Sequence, residues 1–239
     1  MKGIVYKKRA NVFLLKIVVV SFIFLIVSFA FIYFSGALCP NRDISSSMQV
    51  DSRVTVVIDP GHGGVDGGAQ VNNVFEKKLN LSVSQKIAEF LSLYDVDCVL
   101  TRYDDVWLAD ENSTHKKQSD LLNRTAIANT FEYPVFVSIH MNKFPIEKYS
   151  GLQVFYSKNN SASKVIADMI QQNTVSLLQG ENNRKIKEAG TSIYVLDRLE
   201  CPAVLIECGF MSNNDELSRL TDDAYQYDLA YVISTSIIN

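Results

Sequence analysis

The chain has 239 residues, of which 47% are hydrophobic, so it is long enough for one domain with a well-filled core and an additional segment. Its charge is unevenly distributed: residues 1–42 carry six Lys or Arg and no acid, which leaves 17 basic against 26 acidic residues, a formal charge of −9, in the rest. An acidic domain does not neutralise phosphates, which argues against nucleic acid as a partner.

The N-terminal segment has the features of a membrane anchor. Residues 1–16 are basic, and residues 17–38 are an apolar, uncharged run of roughly 22 residues, where about 20 span a bilayer as a helix. We expect a transmembrane helix with its basic tip in the cytoplasm, followed by a polar linker over residues 39–53. The alternative is a signal peptide cleaved after the small residues 35–37. Both interpretations place the domain of residues 54–239 outside the cytoplasm, membrane-anchored or secreted.

The remaining sequence alternates between strand and helix patterns. In chain order we expect strand 54–58, helix 76–93, strand 96–101, helix 119–130, strands 135–139 and 152–156, helix 161–178, strands 193–196 and 203–206, and two short helices at the end. Such alternation is typical of the α/β class, here a three-layer sandwich with helices on both faces of a mainly parallel sheet. The long loop 103–118 contains Trp107, which either contacts substrate or packs under the loop.

Two of the three histidines follow apolar strand patterns. His62 lies in Asp59-Pro-Gly-His-Gly-Gly, where glycine leaves space at the backbone and tolerates positive φ. His140 follows the apolar residues 135–139, whereas His115 lies in a charged stretch that we interpret as a solvated loop. We expect the first two strands to be neighbours, so His62 and His140 are candidate ligands of one metal ion.

A catalytic zinc site needs a third protein ligand and an open position. Glu76 is the first candidate, because it begins the first helix just past the glycine-rich segment, and Asp59 and Asp66 are alternatives. Glu76 also fits another role, as the third position of a helix capping box with Asn73 as the cap. Asn80 stands four residues after Glu76 on the same helix face, where it would orient a ligand.

Glu207 directly follows the apolar run 203–206. A buried carboxylate without a partner is costly, so this one needs a cation or an opening to solvent. Beside a metal ion, Glu207 would take a proton from an attacking water and later give it to the leaving group. The alternative is a carboxylate that caps the neighbouring turn or pairs with Arg102 or Arg124. Two histidines and a glutamate at strand ends indicate a metal-dependent hydrolase.

Four separated segments fit one known family: Asp59-Pro-Gly-His-Gly-Gly64, Glu76 with Asn80, Ser138-Ile-His-Met-Asn142, and Glu207-Cys-Gly-Phe-Met-Ser-Asn213. They resemble the zinc-dependent N-acetylmuramoyl-L-alanine amidases of the amidase-3 type, through residues 54–238 and in the expected order. The resemblance implies a mixed central sheet and one zinc ion per chain. It also implies that His62, Glu76 and His140 bind the metal and that Glu207 is the catalytic carboxylate.

The implied substrate is the amide between the lactyl group of N-acetylmuramic acid and L-alanine in peptidoglycan. Asn80, Asn142 and Arg124 are candidates to orient the ligands or the substrate. Two other functions remain open at this point. One is a zinc peptidase that acts on the stem peptide outside the cytoplasm, and the other is a non-catalytic amidase homologue that binds peptidoglycan.

Within this family the chain is most similar to the germination-specific amidases of the spore cortex. The similarity rests on the single N-terminal membrane segment, on the absence of a wall-binding repeat, and on Thr101-Arg102 followed by Trp107-Leu-Ala-Asp-Glu111. It implies action in the forespore intermembrane space ahead of muramic-δ-lactam formation. Some clostridial members need an accessory protein, so an activating protein partner belongs to the same expectation.

Overall fold

The computed structural model describes residues 54–238 and, N-terminal to them, Ser21 alone. Within residues 54–238 the strands are β1 Thr55–Pro60, β2 Gln70–Val71, β3 Val74–Phe75, β4 Cys98–Leu100, β5 Pro134–Asn142, β6 Gln153–Tyr156, β7 Lys187–Glu188 and β8 Ala203–Phe210. The helices are α1 Glu76–Leu93, α2 Lys116–Ala128, α3 Ser161–Leu177, α4 Tyr194–Arg198, α5 Asn214–Thr221 and α6 Asp223–Ile238.

Six of the strands form one mixed sheet in the order β4-β1-β5-β8-β6-β7. The pairs β1–β4, β1–β5, β5–β8 and β6–β7 are parallel, and only β6–β8 is antiparallel among them. The expectation of a mainly parallel, mixed sheet is therefore confirmed. Strands β2 and β3 form a separate antiparallel hairpin just before α1.

Alternating apolar side chains fill a core on each face of the sheet. Along β1, Ile58 belongs to one core with Val83 of α1, and Val57 belongs to the other with Ala128 of α2 and Leu196 of α4. Because successive strand residues point to opposite faces, a nearly continuous apolar strand supplies both cores. The result is three layers, with helices on both faces of the sheet.

One expected element is wrong. The sequence predicts a strand over residues 193–196, but Ile193 is the N-cap residue of helix α4 and the other three residues lie in its first turn. Val195 and Leu199, four residues apart, both lie in the second core, which is a helical spacing that tertiary packing selects over the strand preference. The chain also ends in one short helix and one of 16 residues instead of two short ones.

Other differences concern the ends of elements. Helix α2 begins at Lys116, three residues before the expected start, and β5 and β8 continue beyond residues 139 and 206. His140 and Glu207 therefore lie within strands rather than just after them. The polar side chains interrupt the apolar pattern without ending the backbone pairing.

Among the residues that the structure describes, no helix combines the length and the apolar character needed to cross a bilayer. The expected cytoplasmic tip 1–16, anchor 17–38 and linker 39–53 lie outside the described residues, apart from Ser21.

Candidate metal centre and catalytic cleft

The functional side chains meet where β1, β5 and β8 end. Parallel pairing places the C-terminal ends of these strands side by side, and His140 of β5 is the register partner of Glu207 in β8. The glycine loop, residues 61–68, continues from β1 at the same edge. Edges of this kind are where open α/β sheets commonly bind ligands.

Close packing explains the glycine at position 61. A Cβ built on Gly61 would lie 2.2 Å from Cε1 and Nε2 of His140, a distance that no side chain tolerates. The next residue, His62, has a φ of 61°, in the left-handed region that non-glycine residues rarely adopt. A Cβ on Gly68 would lie 2.6 Å from Oε2 of Glu76. The glycine loop thus lets two imidazoles and one carboxylate approach each other.

His62, Glu76 and His140 form a cluster with the geometry of a metal site. One ligand atom from each lies within 4.8 Å of the others. Oε1 of Glu76 is 3.2 Å from Nε2 of His62 and 3.0 Å from Nδ1 of His140. Two imidazoles and a carboxylate are a donor set that zinc uses in catalytic sites, so the residues fit this ion.

The carboxylate of Glu76 is held in place from several directions. Its Oε2 accepts a hydrogen bond from the Ala69 N–H at 2.8 Å, and its Oε1 accepts from the Met141 N–H at 3.2 Å and from Nδ2 of Asn80 at 3.3 Å. Burial raises the pKa of Glu76, but His140 and His62 outweigh burial and hold that pKa far below its usual 4.5. Glu76 is therefore a fixed anion.

The capping-box alternative for Glu76 is wrong. The residue before helix α1 is Phe75, and no side chain caps this helix end. Asn73 instead occupies the turn of the β2–β3 hairpin with a φ of 63°. The carboxylate of Glu76 is directed at the two histidines and is not used to close its own helix.

Asp66, an alternative candidate for the third metal ligand, lies next to the His62 ring on the side away from Glu76. Its Oδ2 is 3.0 Å from Nδ1 of His62, on the ring nitrogen that does not face Glu76, and it also binds Nζ of Lys117. Burial raises the pKa of Asp66, but hydrogen bonds from Lys117 and His62 lower it to about 2. Such a carboxylate fixes the orientation of a ligating imidazole. Our sequence reasoning missed this role, although the spacing of four from His62 was visible.

Asp59, the other rival, belongs to a buried ion pair under the glycine loop. Its Oδ1 accepts from the Arg124 guanidinium at 2.6 Å and from the Thr101 hydroxyl at 2.7 Å, and its Oδ2 accepts from the Ser138 hydroxyl. Arg124 also donates to the backbone carbonyls of Pro60 at 2.9 Å and of His62 at 2.7 Å. Arg124 therefore fixes the loop backbone and does not belong to the metal cluster.

Glu207 lies beside His140 in the sheet, and its side chain has no hydrogen-bond or ion-pair partner among residues 54–238. Its Oε2 is buried and accepts no hydrogen bond from any described residue. Burial, together with the charge of Glu76, raises the pKa of Glu207 to about 7 against the opposing effect of the two histidines. The alternative of an ion pair is wrong, because Arg124 binds aspartates and Arg102 donates to backbone carbonyls.

A cleft of about 280 Å³ gives access to these groups. Its polar lining includes His62, His140, Glu207 and Arg124, and its apolar lining includes Leu121, Phe155, Ile193, Tyr194, Val195 and Leu205. A substrate can thus make apolar contacts in the cleft while its polar bond lies near the histidines.

Three other residues considered in the sequence analysis lie outside the metal cluster. The side chain of Asn142 has no hydrogen bond to the metal cluster, and its backbone carbonyl accepts from the Met211 N–H. The backbone of Trp107 packs against Gly64, where a Cβ would come within 2.7 Å of it, and the indole Nε1 is buried without a hydrogen-bond partner among the described residues. His115 is exposed at the start of α2, as expected.

Comparison with known proteins identifies the family. Residues 56–239 match the family model described as N-acetylmuramoyl-L-alanine amidase. The chain belongs to this family. The expected activity, hydrolysis of peptidoglycan by an N-acetylmuramoyl-L-alanine amidase, is confirmed.

Individual amidases resemble the chain over most of its length. The germination-specific N-acetylmuramoyl-L-alanine amidase of Bacillus subtilis is 33% identical over 190 residues, 77% of this chain and 78% of that protein. The CwlD amidase of Clostridioides difficile, solved with the GerS lipoprotein, has a TM-score of 0.73 and 38% identity over 77% of this chain and 96% of that one. The catalytic domain of CwlV from Bacillus (Paenibacillus) polymyxa has a TM-score of 0.66 and 32% identity, over 77% and 95%.

Proposed function

We propose that this amidase holds one zinc ion with His62, Glu76 and His140 and uses Glu207 to move protons. Its substrate would be the amide that joins the lactyl carbonyl of N-acetylmuramic acid to L-alanine. The observation that carries the proposal is the pairing of a compact His-Glu-His cluster with an unpartnered, buried carboxylate in one cleft. When bound, zinc would polarise the scissile carbonyl and make an attacking water more acidic.

Glu207 has the properties of a group that accepts and then releases a proton. Burial raises its pKa to about 7, so that before a metal ion binds both protonation states are accessible near neutral pH. Oε2, which no described residue occupies, accepts the proton of the attacking water. Glu207 then gives this proton to the nitrogen of alanine as the carbon–nitrogen bond breaks, so the amine leaves in neutral form, the carboxylate is regenerated and no covalent intermediate is needed.

The other residues position the reacting groups. Asp66, held by Lys117, orients the ring of His62, and Asn80 helps to fix the carboxylate of Glu76. Asn80 also donates to the carbonyl of Gly61 at 3.1 Å, which joins helix α1 to the glycine loop. Arg124 would act through the loop backbone and not through direct contact with the substrate.

Replacing Glu207 tests the assignment most directly. Glu207→Gln keeps the size of the side chain and removes its ability to accept a proton, so we expect kcat to fall by about 10³-fold on muramoyl-peptide. Mass spectrometry of the products should show a free L-alanine amino terminus for the wild type. The zinc content should stay at about one per chain in both proteins.

Glu188→Gln is a suitable control, because Glu188 is an exposed carboxylate on the outer strand β7. It should cleave at the wild-type rate. Wild-type turnover by Glu207→Gln would show that another group carries the proton, and loss of zinc in that variant would show that the residue is a ligand instead.

The biological setting proposed here follows from relatives and from the N-terminal sequence. Residues 1–16 would lie in the cytoplasm, residues 17–38 would span the membrane, and residues 39–53 would link them to an extracytoplasmic domain of residues 54–239. The similarity to a germination-specific amidase supports action on spore-cortex peptidoglycan. The structure of CwlD with the GerS lipoprotein supports an accessory lipoprotein partner for this chain.

A further inference from the structure

A second cavity lies at the same end of the sheet as the catalytic cleft. Strand β6 is antiparallel to β8, so β6 begins at the edge where β8 ends. The loops that precede β6 and follow α3 enclose a space of about 470 Å³ there. Its wall includes Lys148, Tyr149, Gly151, Gln179, Arg184 and Arg219. We call it the Arg184 cavity.

Arg184 is held in the cavity wall without a carboxylate partner. Its Nε donates to the Ser150 carbonyl at 2.6 Å and its Nη1 approaches Oε1 of Gln153 at 3.4 Å. The guanidinium carbon lies 4.3 Å from the centre of the Phe210 ring and 5.9 Å from that of Tyr149. These contacts fix the plane of the guanidinium. They use only two of its five N–H donors, so three remain for a ligand.

The other arginines of residues 54–238 are satisfied differently. Arg124 binds two aspartates, Arg219 lies 3.6 Å from Glu216, and Arg198 lies 3.9 Å from Asp197. Arg102 is buried and donates to backbone carbonyls. Within this part of the chain, Arg184 alone combines partial exposure with the lack of both an acidic partner and a full set of carbonyl acceptors.

The acids near this cavity do not neutralise Arg184. Glu216 is buried, and its carboxylate accepts the N–H groups of Gly151 at 2.9 Å and of Phe210 at 2.7 Å, so it is turned into the protein. Glu181 is exposed and forms no ion pair with Arg184 among the described residues. The interior therefore presents an oriented cation to a ligand that enters from solvent.

Sheet register connects Arg184 to the catalytic carboxylate. Gln153, which contacts Arg184, is the direct cross-strand partner of Glu207. Such partners point to the same face, as the next pair does, where Phe155 and Leu205 both line the catalytic cleft. One residue, Gln153, thus lies between the Arg184 guanidinium and Glu207, and an extended peptide rises about 3.3 Å per residue.

We propose that Arg184 binds a carboxylate of the stem peptide that the enzyme releases. The peptide on the alanine side of the scissile amide carries free carboxylates, and a fixed guanidinium matches a carboxylate through two parallel hydrogen bonds. This inference rests on the proposed function for the identity of the substrate. Arg184 is a specificity residue in it and takes no part in bond cleavage.

The test compares substrates and variants together. Steady-state kinetics would use a muramoyl-peptide with free stem carboxylates and the same compound with these groups converted to carboxamides. With the free carboxylates, Arg184→Gln should raise KM by about tenfold and leave kcat unchanged. With the carboxamide, the wild type should show the same increase and Arg184→Gln no further one. Arg184→Lys, which keeps the charge without the planar fork, should fall between.

Lys164→Gln removes a charge from the exposed face of α3 and should leave KM unchanged with both substrates. Equal KM values for the two substrates in the wild type would overturn the inference without the use of any variant. A change in kcat alone in Arg184→Gln would also overturn it.

Calorimetric titration of the released peptide separates this inference from the proposed function. Wild-type protein that cleaves no muramoyl-peptide would contradict the function, yet it could still bind the peptide. Binding about tenfold weaker in Arg184→Gln than in the wild type would support the carboxylate site in that case. Equal binding would reject it.

Discussion

At the scale of single residues, the buried pair of Asp59 and Arg124 supports the backbone of the glycine loop. The Asp59→Asn variant leaves the Arg124 charge only partly compensated, so we expect the free energy of unfolding to fall by about 3 kcal/mol at pH 7. Urea denaturation measures this change. Asp97→Asn, at an exposed position, should change the stability by less than about 0.5 kcal/mol.

The same pair predicts how stability depends on pH. Burial raises the pKa of Asp59, but Arg124, Thr101 and Ser138 outweigh burial and hold that pKa below its usual 3.8. The native state therefore binds fewer protons than the unfolded state, and the contribution is present above pH 4 and lost as pH falls further. The stability difference between wild type and Asp59→Asn should shrink as the pH falls below 4. A constant difference would contradict the assignment.

The metal cluster shows which site residues could be predicted from sequence patterns and which could not. His62 and His140 could be predicted as neighbours because each comes after an apolar run, and these runs form the paired strands β1 and β5. The choice of Glu76 over Asp66 could not be made from spacing, since both carboxylates lie close to His62 in the sequence and in space. What separates their roles is the ring nitrogen that each one faces, and this depends on the rotation of the imidazole.

At the scale of elements, the glycine loop should tolerate no side chain at position 61. In Gly61→Ala, the new methyl group would overlap the His140 ring, so the imidazole must move away from Glu76. We expect the zinc content to fall well below one per chain and activity to fall by more than about 10²-fold, with a destabilisation of about 1–3 kcal/mol. Elemental analysis would measure the zinc content, and unfolding followed by circular dichroism would measure the stability separately.

Gly190→Ala provides the comparison for that variant. A Cβ at Gly190 would meet only Oγ of Ser192 at 3.9 Å, an ordinary contact, so metal content and activity should stay at the wild-type level. Full zinc occupancy in Gly61→Ala would show that His140 does not need its present position to bind the metal.

Long elements were predictable and short or interrupted ones were not. Helix α1 shows a sustained helical period, and its limits, Glu76–Leu93, agree with the expected ones. Helix α4 has only five residues, too few for a period to separate a helix from a strand. Strand β8 was expected to stop before Glu207, because a polar residue in an apolar run looks like an end. Its backbone pairing with β5 continues through that position.

At the scale of the whole molecule, the sequence predicted the layers but not the order of the strands. Alternating strand and helix patterns predict a mainly parallel sheet with covered faces. The antiparallel placement of β6 beside β8 depends on long-range packing, which no local pattern encodes. That placement matters for function, because it brings the loops around Arg184 to the edge that also holds Glu207.

A metal ion bound at the cluster would also stabilise the fold. His62, Glu76 and His140 come from the loop after β1, from helix α1 and from β5, so one ion would link three separate elements. A ligand that binds only the native state stabilises it, by about 2.7 kcal/mol at a free concentration of one hundred times Kd. For a domain of this size, zinc added to chelator-treated protein should raise Tm by about 5–10 °C.

Histidine variants show whether the zinc-dependent rise in Tm comes from the metal cluster. His62→Ala removes one ligand and should abolish the zinc-dependent rise in Tm, because the remaining pair binds the ion weakly. His115→Ala changes an exposed histidine outside the cluster and should keep the full rise. Differential scanning calorimetry with and without zinc measures both. A rise that persists in His62→Ala, or disappears in His115→Ala, would mean that the stabilising ion binds somewhere other than at the edge formed by β1 and β5.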